Sequence, residues 1–304
     1  MRLVTYSQGR QFRTGVMLDD ESVVDLNRAS GGRLPDDMLE LLAQGEAAIS
    51  AAREALEAAR SAAKSGASAS GASASGRILS LSREDVRLEA PMPRPGKVLA
   101  IGLNYRDHAE ESGQALPAHP VVFSKVSTCI TGPGAPVHRP KASAAVDWEA
   151  EMCFVIGRKG RHIKAAEAME HVAGFMCGND VSVRDWQFHN PTWMIGKGFD
   201  THGPIGPWLV TKDDVDPTNM DVKCFVNGER VQSSNTKHLI FDIPALIEYL
   251  STAFTLEPGD VVFTGTPAGV GVSRKPPVFL KAGDVVRVEI TGLGVLENPV
   301  IDEP

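Results

Sequence analysis

Two glutamates that stand two positions apart are the first residues whose spacing indicates chemistry. Glu149 and Glu151 lie within the segment VDWEAEMCFVIG. On a β-strand such a pair points to one face, with roughly 6–7 Å between the two Cα atoms. Two anions held this close, next to an apolar run, repel each other unless a positive charge lies between them. The pair therefore predicts either a bound cation or an ion-paired network with Arg184 or Lys197.

A third carboxylate favours the bound cation. Asp180 ends another apolar segment, residues 172–178, and would meet the two glutamates if the two strands were neighbours. Three carboxylates suit a hard, oxygen-preferring ion such as Mg²⁺ or Mn²⁺ better than zinc, which prefers nitrogen and sulfur ligands. Spacing alone leaves a solvated acidic strand face as the alternative.

A lysine between two glycines is a second candidate. Lys197 is flanked by Gly196 and Gly198 in the apolar, proline-containing segment WMIGKGFDTHGPIGP, residues 193–207. Glycine lets the backbone approach a ligand closely, and a half-buried ammonium can bind a carboxylate or a developing oxyanion. Because most lysines are exposed, this segment by itself favours an exposed turn.

A histidine and a glutamate three positions apart form a third candidate. His108 and Glu111 lie in NYRDHAEESG, residues 104–113, directly after an apolar run that predicts a strand. In a helix the two side chains share a face, and a carboxylate beside an imidazole orients it and makes it a better base. The pair could therefore activate water, although an exposed helical turn with an incidental contact fits the spacing equally well.

A glycine-rich loop follows the predicted strand DVVFTG, residues 260–265. Its sequence GTPAGVG, residues 265–271, lacks the Lys-Ser/Thr ending of a P-loop and does not fit GxGxxG before a helix. Nucleotide binding is therefore weakly indicated. We favour a loop that offers backbone N–H groups and the Thr266 hydroxyl to a carboxylate.

Composition excludes several classes of protein. The 304-residue chain has a formal net charge of −7, which argues against nucleic acid as a partner. Its four cysteines form no CxxC pair, so we expect free thiols rather than a zinc or disulfide framework. Residues 1–10 contain no apolar h-region and no stretch is long enough to span a membrane, so a cytoplasmic location without a membrane partner is expected.

The order of the predicted elements divides the chain in two. Residues 1–88 predict a small N-terminal α/β module, with short strands at 2–6, 14–18 and 22–25 and one or two helices within 35–64. Residues 65–76 contain GASAS twice and predict a flexible linker. Residues 89–304 alternate strand-like runs with Gly, Pro and Asp, and helical patterns occur only at 164–170 and 242–251. We therefore predict a mainly β catalytic domain with some α (α+β).

Five motifs in order strongly resemble the fumarylacetoacetate hydrolase family. They are GLNYRDHAEE, DWEAEM, GNDVSVRDWQ, GKGFDTHGPIGP and GDVVFTGTPAGVG. Each motif alone is weak, but the collinear set is specific and covers about residues 96–292. The resemblance implies a mixed β-sandwich roll, a homodimer, and Mg²⁺ or Mn²⁺ (with Ca²⁺ as a further option) in the mouth of the roll.

The resemblance also implies roles for the residues that match the motifs. Glu149, Glu151 and Asp180 resemble the metal ligands, and Lys197 resembles the residue that grips the metal-bound substrate. Gln187 and Thr266 resemble polar substrate contacts, with Thr266 facing a carboxylate. His108 and Glu111 resemble the acid/base dyad, carried on a lid segment.

The activity expected from the resemblance is hydrolysis of a C–C bond in a β-diketo acid of the acylpyruvate or fumarylpyruvate type. A metal-stabilised enolate would leave after water, activated by the dyad, attacks the distal carbonyl. The same site could instead decarboxylate a 2-oxo diacid such as oxaloacetate, or interconvert its enol and keto forms. Family membership does not choose between these small oxo-acid reactions.

Overall fold

The computed structural model describes residues 1–9, 11–64 and 80–304 of the chain, so the predicted linker at 65–76 lies outside the described residues. The strands, numbered in chain order, are β1 (Arg2–Gln8), β2 (Gln11–Met17), β3 (Ser22–Asp25), β4 (Leu81–Ser82), β5 (Arg87–Leu88), β6 (Val98–Gly102), β7 (Val121–Lys125), β8 (Ile130–Thr131), β9 (Val137–Arg139), β10 (Val146–Asp147), β11 (Ala150–Ile156), β12 (Val172–Asn179), β13 (Ser182–Val183), β14 (Gly203–Thr211), β15 (Asp221–Val226), β16 (Glu229–Asn235), β17 (Val261–Phe263), β18 (Val285–Ile290) and β19 (Gly294–Asp302).

Helices are few and mostly short. The α-helices are α1 (Leu26–Ala29), α2 (Met38–Ala43), α3 (Glu46–Lys64), α4 (Arg106–Glu111), α5 (Arg184–Gln187), α6 (Met194–Lys197) and α7 (Ile243–Ala253). The helix predicted at 164–170 is instead a 3₁₀ helix, Ala165–His171, whereas the helices predicted within 35–64 and at 242–251 are present. The predicted class, mainly β with some α, is confirmed.

Two sheets build the roll. In the described residues the larger sheet runs β4-β3-β2-β1-β14-β12-β11-β17-β6-β7, with β5 added to β1 and β8 to β14. The second sheet runs β16-β15-β18-β19-β9, and β10 pairs with β13 alone. Strands β11 and β12 therefore lie in the interior of the larger sheet, where both faces can be covered.

Strand β11 is buried along its whole length because different layers cover its two faces. Met152 and Phe154 point into a core shared with the second sheet and α7. Cys153 and Val155 point the other way, into a core built with α2 and α3. A strand covered on both faces reads as a continuous apolar run rather than an alternating one, which is the pattern that follows Glu151.

The N-terminal segment adds strands and a helical layer to the same sheet. β1 pairs with β14 through Leu3 and Leu209. Helix α3 buries alanines spaced along one face, including Ala48, Ala52 and Ala59, and small side chains let this helix lie close to the sheet. The predicted boundary between two domains at residue 88 stays a proposal. The strands before it belong to the larger sheet.

The four cysteines are buried and unpaired, as the sequence predicts. Among the described residues, no helix is both long enough and apolar enough to cross a membrane.

Candidate active site

The antiparallel pairing of β11 and β12 brings the three carboxylates together. Ala150 pairs with Asn179, so the residue after β12, Asp180, lies beside the start of β11. The backbone N–H of Asp180 donates to the carbonyl of Glu149 at 2.9 Å. Glu149, Glu151 and Asp180 are buried, and each places a carboxylate oxygen within 4.8 Å of the other two. This is the cluster that the sequence predicts as a metal centre.

Buried cations neutralise two of these carboxylates. Lys197 Nζ lies 2.7 Å from Glu149 Oε2 and 2.7 Å from Asp180 Oδ2. Lys125 Nζ lies 2.6 Å from Asp180 Oδ1, and Arg184 Nη1 lies 2.7 Å from Glu149 Oε1. Buried charges have to be paired in this way, because an isolated ion is costly away from water.

The glycine-flanked segment by itself favours an exposed turn for Lys197, and this prediction is wrong. The Lys197 side chain is only 2% exposed. The flanking glycines contact protein rather than open space. A Cβ at Gly196 would lie 2.3 Å from the backbone nitrogen of Gln187, and one at Gly198 would lie 2.9 Å from the carbonyl of Met194. Glycine at these positions lets α6 pack against α5, which delivers the lysine to the carboxylates.

Glu151 differs from its two neighbours because no ion pair reaches it from any described residue. Its Oε2 accepts a 2.7 Å hydrogen bond from the backbone N–H of Gly265. Burial, followed by the charges of Asp180 and Glu149, raises the pKa of Glu151 well above its ordinary value. The described residues thus give Glu151 no cationic partner of its own, and the all-oxygen donor set of the trio fits a divalent ion such as Mg²⁺ or Mn²⁺.

The lysine and arginine neighbours hold Glu149 in its charged form. Burial alone would raise the pKa of Glu149, but Lys197 and Arg184 outweigh it and hold that pKa well below its usual range. Burial would likewise lower the pKa of Lys125, and the charge of Asp180 outweighs it, so the pKa of Lys125 is raised. These groups therefore stay ionised inside the protein.

The predicted dyad is formed on α4. His108 Nδ1 lies 3.3 Å from Glu111 Oε2, and Glu111 Oε1 accepts a 2.9 Å hydrogen bond from the backbone N–H of Gly269. Burial opposes ionisation of Glu111, but these two hydrogen bonds outweigh it and lower its pKa. A carboxylate held as an anion keeps the Nδ1 proton of His108 facing it, which leaves Nε2 as the basic atom. His108 also contributes to the low pKa of Glu149, so the dyad and the trio lie in one electrostatic environment.

One side chain fixes the start of α4. Asn104 Nδ2 donates to the carbonyls of Thr264 at 2.8 Å and Phe241 at 3.0 Å, and its Oδ1 accepts from the N–H of Phe241 at 2.8 Å. These bonds tie the entry of α4 to the end of β17. The orientation of His108 is therefore set partly by a residue that the sequence analysis did not single out.

The backbone N–H groups of the glycine loop donate to carboxylates. These carboxylates are side chains of the protein itself rather than a ligand. Gly265 donates to Glu151 and Gly269 donates to Glu111. Two of these glycines have positive φ angles, 105° at Gly265 and 104° at Gly269. A Cβ at Gly269 would lie 2.1 Å from the carbonyl oxygen of Val231, so only glycine fits there. The loop therefore organises the site rather than a nucleotide phosphate.

The two predicted substrate contacts are buried and bonded to the protein. Gln187 Oε1 accepts a 2.9 Å hydrogen bond from Arg184 Nη1. The Thr266 hydroxyl donates to the carbonyl of Ala150 at 2.9 Å and accepts from Gln232 Nε2 at 2.9 Å. In this arrangement the Thr266 hydroxyl proton is already donated to β11. The contact of Thr266 with a substrate carboxylate therefore stays a prediction.

The ion-paired network predicted for the two glutamates is present at Glu149, which contacts both Arg184 and Lys197. Asp147 is a buried residue of the site that the sequence did not single out. It continues the alternation of Glu149 and Glu151 by two residues, a signal that could have found it. Lys125 carried no comparable signal for its pairing with Asp180, because that pairing depends on which strands meet. Arg184 Nη2 and the Tyr105 hydroxyl are buried without a hydrogen-bond partner among the described residues. Both can therefore donate a hydrogen bond to an oxygen of a ligand.

Known proteins share this arrangement of fold and motifs. The family described as Fumarylacetoacetate (FAA) hydrolase C-terminal matches residues 97–301. The chain is 46% identical over 307 residues to oxaloacetate tautomerase fahd2, mitochondrial, of Xenopus laevis, covering 99% of this chain and 90% of that protein. Several solved structures match 100% of both chains, and two of them illustrate the range. They are fumarylacetoacetate hydrolase of Exiguobacterium antarcticum, with a TM-score of 0.82 at 34% identity, and 5-carboxymethyl-2-hydroxymuconate delta-isomerase of Mycobacterium smegmatis, with a TM-score of 0.75 at 33% identity.

The chain therefore belongs to the fumarylacetoacetate hydrolase family and is an enzyme of that family. The resemblance read from the five motifs is confirmed. Its relatives include hydrolases and isomerases on the same fold, so the reaction has to be argued from the site.

Proposed function

We propose that this enzyme interconverts the enol and keto forms of a small 2-oxo diacid of the oxaloacetate type. The observation that carries the proposal is that one glycine loop contacts both the trio, which fits a metal ion, and the His108–Glu111 dyad, through Gly265 and Gly269. The name of the Xenopus laevis relative, an oxaloacetate tautomerase, supports this reaction over the others that the site could perform.

The proposed cofactor is Mg²⁺ or Mn²⁺, with Ca²⁺ as a further option. Glu149, Glu151 and Asp180 would hold the ion, which supplies Lewis-acid polarisation of a 2-oxo acid when it is bound. Lys197 provides a second positive charge for an oxygen that becomes an enolate. Arg184 Nη2, which has no partner among the described residues, is available to a substrate carboxylate.

The dyad supplies the proton chemistry. In the keto-to-enol direction, the C3–H bond breaks and His108 Nε2 takes that proton, while the electron pair forms the C2–C3 double bond. The C2=O π electrons move to the oxygen, an O–H bond then forms as this enolate oxygen takes a proton from water, and His108 gives its own proton to the hydroxide that is left. Glu111 keeps the imidazole oriented throughout. The composition of the substrate does not change.

Hydrolysis of a C–C bond, which the sequence analysis places first, is the second candidate. A His–Glu dyad that can activate water favours it, and so does the fold shared with the hydrolase of Exiguobacterium antarcticum. Hydrolysis of an acylpyruvate consumes water and yields a free acid and pyruvate, whereas tautomerisation yields neither. Decarboxylation of oxaloacetate would yield CO₂. The three reactions therefore differ in their products.

The test uses purified protein that has been stripped of metal with a chelator and reloaded with Mg²⁺ or Mn²⁺. Decay of the ultraviolet absorbance of enol-oxaloacetate should accelerate above the spontaneous rate only in the metal-loaded protein. Parallel NMR spectra with an acylpyruvate and with oxaloacetate report cleavage and CO₂ loss. Cleavage of the acylpyruvate without any acceleration of tautomerisation would overturn the proposal and favour the hydrolase.

Two further properties remain proposals. The family resemblance implies a homodimer, which light scattering coupled to size-exclusion chromatography tests directly. The cytoplasmic location expected from the sequence stands against the word "mitochondrial" in the name of the Xenopus laevis relative, so fractionation of the source cells has to decide it. A small oxo-acid, rather than nucleic acid or membrane, is the partner we propose.

A further inference from the structure

The residue pair Asp147–Trp148 contacts both halves of the site, the metal-binding carboxylates and the dyad. We propose that this pair is a joint that positions the two halves relative to each other. The proposal deepens the proposed function, on which it rests for the reaction, whereas its effect on metal binding stands independently. Neither residue contacts the reacting atoms, so both are positioning residues.

Asp147 is fully buried and its two oxygens accept four hydrogen bonds. Oδ1 accepts from the backbone N–H groups of Trp148 at 2.8 Å and Gly271 at 2.7 Å. Oδ2 accepts from the N–H of Val272 at 2.9 Å and from Arg184 Nε at 2.8 Å. The aspartate therefore joins an arginine to the end of the glycine loop.

The route from Asp147 to the metal centre passes through Arg184. With its Nε held by Asp147, the guanidinium directs Nη1 to Glu149 Oε1 at 2.7 Å and to Gln187 Oε1 at 2.9 Å. A planar guanidinium held at one nitrogen has its other nitrogens fixed in direction. Asp147 thereby sets where Glu149 presents its second oxygen, Oε2, which is the oxygen near Lys197.

The route from Trp148 reaches the dyad through a single residue of the glycine loop, Gly269. The indole Nε1–H of Trp148 donates to the carbonyl of Gly269 at 3.1 Å. The N–H of the same residue donates to Glu111 Oε1 at 2.9 Å, and Glu111 Oε2 faces His108 Nδ1 at 3.3 Å. Three successive contacts therefore link Trp148, which directly precedes Glu149, to the proposed base, His108.

Asp147→Asn tests the first route. An asparagine has one acceptor oxygen, so its amide N–H₂ faces two donors in either orientation: Arg184 Nε and the N–H of Val272, or the N–H groups of Trp148 and Gly271. The affinity for Mn²⁺, measured by titration calorimetry, should fall by about tenfold or more, as is typical when an outer-shell partner of a metal ligand is lost. The turnover number should fall with it.

Trp148→Phe tests the second route. It removes the indole N–H and leaves Asp147 and the metal ligands in place. The Mn²⁺ affinity should stay within about twofold of the wild-type value, while kcat falls by about tenfold with little change in KM, because only the orientation of the base is lost. If Asp147→Asn does not fold, this variant still tests the joint.

Asp25→Asn is the matched control, since Asp25 is an equally buried aspartate outside the site. It should lower the melting temperature without changing Mn²⁺ affinity or kcat. Wild-type Mn²⁺ affinity and kcat in folded Asp147→Asn would overturn the proposal. So would a Trp148→Phe variant that keeps full kcat. If the wild-type protein shows no tautomerase activity, the proposed function fails, and the Mn²⁺ titration of Asp147→Asn against wild type still decides the metal-centre half of the joint.

Discussion

Lys197 Nζ lies 2.7 Å from Oδ2 of Asp180 and equally far from Oε2 of Glu149, so one ammonium bridges two of the three clustered carboxylates. Both oxygens are also among those that a metal ion would need. The lysine thus stabilises two buried anions and competes for the same ligand atoms. Its two roles can be separated by removing the charge while keeping the side-chain length.

Lys197→Met should bind Mn²⁺ more tightly than the wild type, because the competing ammonium is gone and the site is more negative. Its turnover should nevertheless fall by about 10²- to 10³-fold, since the charge that stabilises the enolate is lost. Calorimetry and steady-state rates check both. Lys159→Met, at an exposed lysine, is the control and should change neither. Weaker metal binding in Lys197→Met would show that the lysine supports the metal centre rather than competing with it.

Glu151→Gln should abolish metal binding and, with it, turnover. Glu151 is the carboxylate of the trio that no ion pair of the described residues reaches, so a divalent ion would be its direct cationic partner. We expect Mn²⁺ affinity to fall by more than about a hundredfold, beyond the range seen for outer-shell changes. Glu257→Gln, which alters an exposed carboxylate paired with Lys159, should titrate like the wild type. Retained tight Mn²⁺ binding in Glu151→Gln would remove it from the ligand set.

His108→Ala should leave the Mn²⁺ affinity intact and reduce turnover by about 10²- to 10⁴-fold, the usual contribution of a positioned acid or base. The histidine contacts Glu111 and none of the three carboxylates of the trio. His162→Asn is a suitable control, because His162 is exposed and asparagine tolerates its left-handed φ of 55°. Full activity of His108→Ala would rule out the dyad as the proton-transfer group.

Asp25 should make the stability of the protein depend on pH in the acid range. Burial opposes its ionisation, but hydrogen bonds from Arg13, the N–H of Arg28 and Tyr6 outweigh it and lower its pKa. Because the folded pKa lies below the unfolded one, the stabilisation is complete above about pH 4 and is lost as the pH falls through the folded value. Urea unfolding of wild type and Asp25→Asn should differ by about 1–3 kcal/mol at pH 7. A difference that does not shrink toward pH 2 would contradict this assignment.

The strand position of Glu151 followed from local sequence, because the apolar run after it marks a buried strand. Glu149 instead lies just before β11, and the pairing of β11 with β12 brings it beside Asp180. The spacing of His108 and Glu111 fits a helix without requiring one, and the structure forms that helix as α4. The collinear motifs identified the family. Thr266 and Gln187 were placed in the site by resemblance, and only the structure revealed that Ala150 and Arg184 already occupy their hydrogen-bonding groups.

The amino-acid sequence by itself determined where several of the central strands lie, β11 and β12 among them, and that the chain belongs to this family. The tertiary structure decided that Lys197 is buried, that Lys125 reaches Asp180, and that Asp147 holds both Arg184 and the glycine loop. The physical reason is distance along the chain. Strand period and helix period act over a few residues, whereas the charge balance of a buried site depends on strands and loops that meet only after the sheet has formed.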